Sequence, residues 1–485
     1  MSGQAPAPST DILDRPEAGE KVIRGGAIRS VAYGATIVLT GGVVPLMTRH
    51  LGVTDFGRFV TASAIVMIVA GITEFGLSGI GTREYALATA PERRALLANL
   101  LGLRTVLTLA GLALAAPLMA LAGYPQVVIA GMLVSGLGLL LLNAELTYTI
   151  SLTAQLSWGI ASIFELINAV VVAAATVLLV VLGASLFPFF WVSVVSSLAA
   201  LLAAVIYLRG HVSLLPRFEL ARWRGLVHDA LPYAAATTVA ILYPRIGLIT
   251  VSLLSSGHQT GYYSTAYKVV EVLGGTSGLI ASSAFPVFAR AGREDHERLR
   301  TAVSKVSDTA LIAGAYVALS LAVAAPFVIS VLGGRSYAPA VPVLRLQAIA
   351  LLGGFLAGTW SYTLLSLRMH ASLLRATLGA LLVSIVASVA LVPTLGADGA
   401  SIASALSEFV VAGGYLLALA RAHAQLLPSL AIAPRVVLAG GGAACAILLP
   451  VPSIVAWVIA SAVFLALVAP VLPREILQLL VRRGA

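Results

Sequence analysis

Apolar runs of about twenty residues recur along the chain and constrain its fold more than any other feature. A run of this length fits a helix that crosses the hydrocarbon core of a bilayer. Of the 485 residues, 59% are hydrophobic and only 10% are charged, whereas a soluble domain is about 25% charged. The runs are about twice as long as the alternating strands of an outer-membrane barrel. The sequence therefore predicts an all-α polytopic membrane protein.

The apolar runs and the Gly and Pro turn signals between them predict about fourteen transmembrane helices. Their expected ranges are 27–48, 58–81, 99–121, 126–149, 159–182, 188–208, 231–254, 262–288, 306–332, 341–366, 373–392, 399–420, 434–450 and 453–472. We expect two parallel six-helix lobes around a central cavity and two extra helices after them. The expected segments are a disordered cytoplasmic tail (1–26), the first lobe (27–208), a cytoplasmic linker (209–230), the second lobe (231–422), the two extra helices (433–472) and a cytoplasmic amphipathic tail (473–485).

The distribution of basic residues predicts the topology. With the N-terminus inside, 24 of the 30 Lys and Arg residues fall in segments that face the cytoplasm, and only Arg49, Arg58 and Arg335 fall in outer loops. This asymmetry predicts a plasma (inner) membrane protein with both termini in the cytoplasm. It also accounts for the net charge of +10, so no nucleic-acid partner is expected. One cysteine and scattered histidines offer no metal-ligand cluster, and we expect no metal and no cofactor.

Two short segments indicate an internal repeat. Gly57-Arg58-Phe59 and Gly261-Tyr262-Tyr263 both have the form Gly-x-aromatic, lie 204 residues apart and enter the second helix of a lobe. A weaker match joins Leu182-Gly183-Ala184 to Leu395-Gly396-Ala397, each before the last helix of a lobe. These matches favour two lobes related by an axis along the membrane normal.

Three charged residues lie in the predicted hairpin Tyr243–Glu271, which turns at Ser255 to Gly261. Arg245 precedes the turn by about twelve residues and Glu271 follows it by about ten, so both are expected near mid-bilayer. Charges are costly at that depth, which makes Arg245, Lys268 and Glu271 candidates for substrate binding. A guanidinium fork and an ammonium both suit phosphate oxygens. The alternative is a structural ion pair between helices, and Lys268 and Glu271 lie on one helix face.

Four more residues complete the candidate site. Glu74 and Glu408 are candidates for gating or ion coupling, although Glu74 could instead pair with Arg83 or Arg29 at the inner interface. Arg49 and Arg345 are candidate substrate-binding residues near the outer face, with snorkelling from a helix end as the alternative for each. No residue is assigned a catalytic role.

Several short motifs resemble those of polysaccharide exporters (O-antigen flippases) of the multidrug/oligosaccharidyl-lipid/polysaccharide exporter superfamily. They are Arg49-His50-Leu51-Gly52, Phe56-Gly57-Arg58-Phe59, Glu74-Phe75-Gly76-Leu77, Gly81-Thr82-Arg83-Glu84, Gly261-Tyr262-Tyr263-Ser264 and Phe285-Pro286-Val287-Phe288-Ala289-Arg290. The resemblance implies a flippase that moves a lipid-linked, polyprenyl-phosphate oligosaccharide from the inner to the outer leaflet by alternating access. Members of the family often carry an acid two positions after the arginine of the seventh helix, where this chain has Gly247.

The expected partners are therefore a lipid-linked oligosaccharide and membrane lipids, with H⁺ or Na⁺ as candidate coupling ions, and the protein is expected to act as a monomer. A cation-coupled multidrug exporter of the same superfamily is one alternative, although the Arg245 and Lys268 pair and the two additional helices count against it. A glycosyltransferase or polymerase on the same carrier is the other. Outer loops of only about ten residues leave little room for an active site, so no enzyme activity is expected.

Overall fold

The computed structural model describes residues 18–74, 76–155, 157–209, 215–220, 223–227, 238–294 and 296–471. The secondary structure within these ranges is helical, which confirms the all-α prediction. The helices are α1 Ala18–Glu74, α2 Leu77–Leu87, α3 Ala90–Leu121, α4 Gln126–Ala154, α5 Trp158–Val181, α6 Leu186–Tyr207, α7 Ile246–Leu254, α8 Gly257–Glu294, α9 His296–Gly333, α10 Ala340–Ser366, α11 His370–Ala422, α12 Ala433–Ala444 and α13 Ser453–Val468.

Two of these helices are too long for one crossing. α1 has 57 residues and α11 has 53, which at about 1.5 Å per residue is more than twice the thickness of the hydrocarbon core. Each bends at a glycine in the left-handed region, Gly52 (φ 72°) in α1 and Gly396 (φ 57°) in α11. Both glycines lie where the sequence predicts hairpin turns. By length and hydropathy eight of the described helices are candidate membrane spans, so the count of fourteen stays a prediction.

Two segment boundaries differ from the sequence prediction. The predicted helix 58–81 is interrupted, because α1 ends at Glu74 and Gly76, with φ 72°, precedes α2. Residues 289–305, which lie between the predicted helices 262–288 and 306–332, are mostly helical, since α8 extends to Glu294 and α9 begins at His296. Charged side chains continue these helices readily, so apolar length marks only the membrane part of each helix.

The two predicted terminal tails are only partly open to comparison with the structure. Of the expected tail 1–26, residues from Ala18 onward already belong to α1, and residues 1–17 lie outside the described ranges. The predicted amphipathic tail 473–485 also lies outside them.

The chain divides into two compact units. The first comprises Met1–Val44, Ile65–Leu121 and Pro125–Ala234, and the second Pro45–Ala64, Ala122–Tyr124 and Ala235–Ala485. In the first unit α4 packs against α3 and α6, and α5 packs against α6. In the second unit α10 packs against α8, α9 and α11, while α12 and α13 cover α9. The second unit thus begins close to the predicted second lobe but also includes 45–64 and 122–124.

Within the second unit, two repeat-related glycines touch. A Cβ atom on Gly57 would lie 2.8 Å from the backbone nitrogen of Gly261, and one on Gly261 would overlap the carbonyl oxygen of Val53. Small residues allow helix backbones to approach this closely. This contact joins the segment 45–64 to α8, and the internal repeat stays a prediction.

The segment 45–64 is also hydrogen-bonded to the end of α9 and to the α9–α10 turn. The Tyr337 hydroxyl donates to the carbonyl oxygen of Thr48 at 3.0 Å, and the Thr48 hydroxyl donates to the carbonyl oxygen of Leu332. Burial raises the pKa of Tyr337, which keeps its hydroxyl a donor. Residues 45–64 are therefore fixed to the rest of the second unit by hydrogen bonds as well as by the glycine contact.

We expect Gly57→Ala and Gly261→Ala each to destabilise the second unit by about 1–3 kcal/mol, because the added methyl meets backbone that cannot move aside cheaply. The measurement is the thermal unfolding midpoint of the purified protein. Gly278→Ala is the matched control, since a Cβ there meets no atom within 4 Å. A midpoint unchanged from wild type in both test variants would contradict the close contact.

Candidate functional site

Arg245, Lys268 and Glu271 form one charged group in the second unit. The Arg245 Nη2 atom lies 3.6 Å from Glu271 Oε1, and the Lys268 Nζ atom lies 2.7 Å from Glu271 Oε2. The first distance confirms that Arg245 and Glu271 lie at similar depth, and the second confirms the pairing on one helix face. Two basic side chains thus share one carboxylate, which leaves the group one positive charge in excess.

The backbone before α7 explains how Arg245 is held. Tyr243–Arg245 is a 3₁₀ turn that contains Pro244, which has no N–H to continue the helical pattern. The Arg245 Nη1 atom donates to the carbonyl oxygen of Ile241 at 2.7 Å. The side chain is only 12% exposed. One side of the guanidinium is therefore fixed, while the side toward Glu271 makes a longer contact.

A cavity of about 400 Å³ lies next to this group within the second unit. Its walls come from α8, α10, α11 and the turn before α7, and they include both Arg245 and Glu271. Four aromatic rings and one further carboxylate also line it, namely Tyr243, Tyr267, Phe355, Tyr415 and Glu408. The volume falls within the range of about 300–1,000 Å³ that is usual for small-molecule sites.

Glu408 lines this cavity from α11. The Tyr243 hydroxyl donates to its Oε1 atom at 3.1 Å. Glycines on α10 make room for it, because a Cβ on Gly353 would lie 2.9 Å from the Glu408 Cβ and one on Gly354 would lie 3.4 Å from Oε2. These two glycines are therefore packing positions.

Glu74 lies in the first unit and has a partner that the sequence reasoning missed. Its Oε2 atom accepts a hydrogen bond of 2.7 Å from Nη2 of Arg104, which is completely buried. Arg83, one of the two expected partners, instead lies 3.4 Å from Glu84. Arg104 is one of the 24 basic residues that the topology prediction assigns to the cytoplasmic side, and in the structure it is enclosed between helices.

The Arg104 guanidinium joins three helices. It also donates to the hydroxyls of Ser78 on α2 and Thr147 on α4, at 2.7 and 2.9 Å. The Glu74 Oε1 atom accepts the Ser78 N–H at 3.0 Å, which satisfies one free amide at the start of α2. The arrangement stabilises the break between α1 and α2.

Arg49 and Arg345 lie away from the cavity wall and both bind carbonyl oxygens of α9. Arg345 Nε donates to Ala322 at 3.1 Å, a carbonyl that Pro326, four residues later, cannot pair because it has no N–H. Arg49 Nη2 donates to Ser330 at 3.2 Å. The structure therefore brings Arg245, Lys268, Glu271 and Glu408 together and leaves Glu74, Arg49 and Arg345 elsewhere.

Gly247 also has a structural explanation. A Cβ atom at this position would overlap the Tyr263 hydroxyl and would lie 3.1 Å from the Ser404 hydroxyl. Those two hydroxyls are hydrogen-bonded to each other at 3.0 Å. The space beside α7 that an acidic side chain would need is thus filled from α8 and α11. In the described residues no group of His, Cys, Asp and Glu is arranged to hold a metal ion.

Comparison with known proteins identifies the family. The sequence profile described as polysaccharide biosynthesis protein matches residues 22–292, more than half of the chain. The chain belongs to this family. A search of curated protein sequences gave no match.

Solved structures share the fold at low sequence identity. The lipid II flippase MurJ in its inward closed conformation has a TM-score of 0.71 at 13% identity, covering 93% of this chain and 100% of MurJ. An inward-facing multidrug resistance MATE transporter of the MOP superfamily has a TM-score of 0.67 at 14% identity, covering 81% of this chain and 98% of the transporter. A MOP superfamily transporter from Pyrococcus furiosus has a TM-score of 0.54 at 16% identity, covering 86% of this chain and 98% of that transporter. The chain is thus a member of the polysaccharide biosynthesis family whose helical fold is shared with MurJ and the MATE transporters.

We expect Arg104→Met to destabilise the first unit by about 1–3 kcal/mol, because it leaves the partly buried Glu74 carboxylate without its charged partner. The double variant Arg104→Met with Glu74→Gln removes both charges and should recover most of that loss. Thermal unfolding of the purified protein measures both. Arg83→Met, at an exposed pair, is the control and should change the midpoint little. A single Arg104 variant as stable as this control would rule out the buried pair as the main support of the α1–α2 break.

Proposed function

We propose that this protein is a flippase that moves a lipid-linked oligosaccharide on a polyprenyl-phosphate carrier from the inner to the outer leaflet by alternating access. The observation that carries the proposal is the Arg245 guanidinium on the wall of a cavity within the membrane part of the chain, sharing one carboxylate with Lys268. Membership of the polysaccharide biosynthesis family supports the same class of cargo.

The charged group gives a direct means of binding a phosphate. The Arg245 to Glu271 distance of 3.6 Å is longer than a normal charge-assisted hydrogen bond of about 2.7–2.9 Å. A diphosphate oxygen can therefore compete for Nη2 while Nη1 stays on the Ile241 carbonyl. Lys268 then neutralises Glu271, so the carboxylate does not repel the incoming phosphate.

The rest of the transport cycle follows from this binding step. Two six-helix lobes, 27–208 and 231–422, would alternate between openings to the two leaflets while the lipid tail stays in the bilayer. Glu408 is proposed as the residue that binds a coupling ion, H⁺ or Na⁺, and Glu74 as a gating residue at the α1–α2 break. Arg49 and Arg345 would meet the diphosphate further toward the outer face. In this proposal the protein acts as a monomer in the inner membrane, with both termini in the cytoplasm.

A cation-coupled multidrug exporter is the second candidate. The observation that favours it is the cavity wall of Tyr243, Tyr267, Tyr415 and Glu408, because aromatic faces and a carboxylate attract organic cations. The two candidates differ in the charge of the cargo and therefore in their dependence on Arg245. An exporter of cationic drugs would not need a guanidinium on this wall.

We expect Arg245→Ala to lower export by about 10- to 100-fold, the effect of losing a charge-assisted hydrogen bond of about 1.5–3 kcal/mol. The measurement is exported polysaccharide in a deletion strain that carries each variant. Expression and thermal stability should stay near wild type, because Lys268 still pairs with Glu271. Arg245→Lys should retain more export than Arg245→Ala.

Arg375→Ala is the control, since among the described residues this exposed arginine donates only to groups of its own helix. A folded Arg245→Ala variant with full export would remove the headgroup hypothesis. Unchanged polysaccharide together with new sensitivity to cationic drugs in the deletion strain would favour the exporter.

A further inference from the structure

A second, smaller cavity of about 60 Å³ adjoins the larger one within the second unit. The two share the walls formed by Tyr243, Tyr267 and Glu408. The small cavity also contains Gln347 of α10, which is only 2% exposed. Neither the oxygen nor the nitrogen of its side-chain amide has a hydrogen-bond partner in the described part of the chain.

An unpaired buried amide requires an explanation, because it loses its hydrogen bonds to water and gains none in return. On the same helix Leu344, Ala348 and Leu351 are buried and apolar. A leucine at position 347 would suit this environment better than a glutamine. A polar group kept at a cost in stability is typical of a functional site.

The chemistry of the Gln347 amide restricts which ligands can form its missing hydrogen bonds. Its oxygen accepts hydrogen bonds and its NH₂ group donates two. A cation would satisfy the oxygen only and would place positive charge beside the NH₂ donors. A hydroxyl group both donates and accepts, and two neighbouring hydroxyls match a planar amide or carboxylate with one pair of parallel hydrogen bonds.

The other walls of the small cavity suit the same kind of ligand. Glu408 offers a second planar group with its Oε1 already fixed by Tyr243. The Ser407 hydroxyl donates to the Ala403 carbonyl at 2.7 Å, which leaves its oxygen able to accept. Tyr267 stacks on Tyr263 with ring centroids 6.2 Å apart and presents an apolar wall.

We propose that these two cavities form a glycan subsite, in which vicinal hydroxyls of one sugar residue of the cargo pair with Gln347 and Glu408. This inference rests on the proposed flippase function and extends it, since Arg245 and Glu408 line the same large cavity. A sugar attached to the diphosphate at Arg245 reaches the subsite without leaving the second unit. Gln347 is then a specificity-determining residue for the sugar.

Binding by the purified full-length protein in lipid nanodiscs tests the subsite. The probes are inorganic pyrophosphate and the water-soluble glycans that mild acid releases from the polyprenyl-linked fraction of the native cells. Mass spectrometry identifies the retained glycan, and intrinsic tyrosine fluorescence gives the affinities. We expect Gln347→Leu to weaken glycan binding at least tenfold and to leave pyrophosphate binding unchanged.

The unfolding midpoint of Gln347→Leu should equal or exceed that of wild type, because the substitution removes an unpaired amide. A merely structural glutamine would give a lower midpoint and unchanged glycan affinity. Gln155→Leu, the same substitution on an exposed residue at the end of α4, should change neither quantity. If Gln347→Leu does not fold, Gln347→Asn must show the same loss of glycan binding.

The remaining outcomes separate this inference from the proposed function. Two outcomes overturn the subsite and leave the flippase proposal standing. In the first, Gln347→Leu does not alter the glycan affinity. In the second, no glycan is retained, but the protein binds pyrophosphate and Arg245→Ala abolishes that binding. Binding of a tetraphenylphosphonium cation with no binding of pyrophosphate or glycan overturns both. The subsite is also overturned if no glycan is retained and sodium chloride alone gives a saturable fluorescence response that Gln347→Leu abolishes. That result would make the small cavity a cation site.

Discussion

The absence of water in the hydrocarbon core is the constraint on which this structure depends. A charge or an unpaired carbonyl there must be met by another part of the protein. Arg104 is met by Glu74 and two hydroxyls, and Arg345 itself meets the Ala322 carbonyl that Pro326 leaves without a donor. Arg104 is therefore a structural support.

The two units meet this constraint to different degrees. In the first unit Arg104 is enclosed and hydrogen-bonded on both of its terminal nitrogens, while its Nε has no partner in the described residues. In the second unit the polar groups around the cavity are less completely paired, with a long Arg245 to Glu271 contact, a single hydrogen bond on Glu408 and an unpaired Gln347. A polar cargo can supply the hydrogen bonds and ion pairs that these groups lack. We therefore assign recognition of the cargo to the second unit.

Much of the fold could be predicted from sequence because it follows from apolar length and from glycine. The hairpin positions predicted at Gly52 and Gly396 coincide with the kinks of α1 and α11, and the repeat-related Gly57 and Gly261 touch. The candidate site was predicted in part. Arg245, Glu271 and Glu408 lie on one cavity, but Tyr243, Gln347 and Arg104 were missed. A lone polar residue in an apolar helix, such as Gln347, was the available signal.

The sequence by itself determined the class of fold, the depth of Arg245 relative to Glu271, the pairing of Lys268 with Glu271 and the positions of the main turns. These properties depend on spacing along one helix or hairpin, where distance in sequence fixes distance in space. Only the tertiary structure decided that Arg104 pairs with Glu74, that Tyr243 holds Glu408 and that Gln347 is left unpaired. Those contacts join helices from distant parts of the chain, and their geometry depends on the rotation and packing of each helix, which residue spacing does not specify.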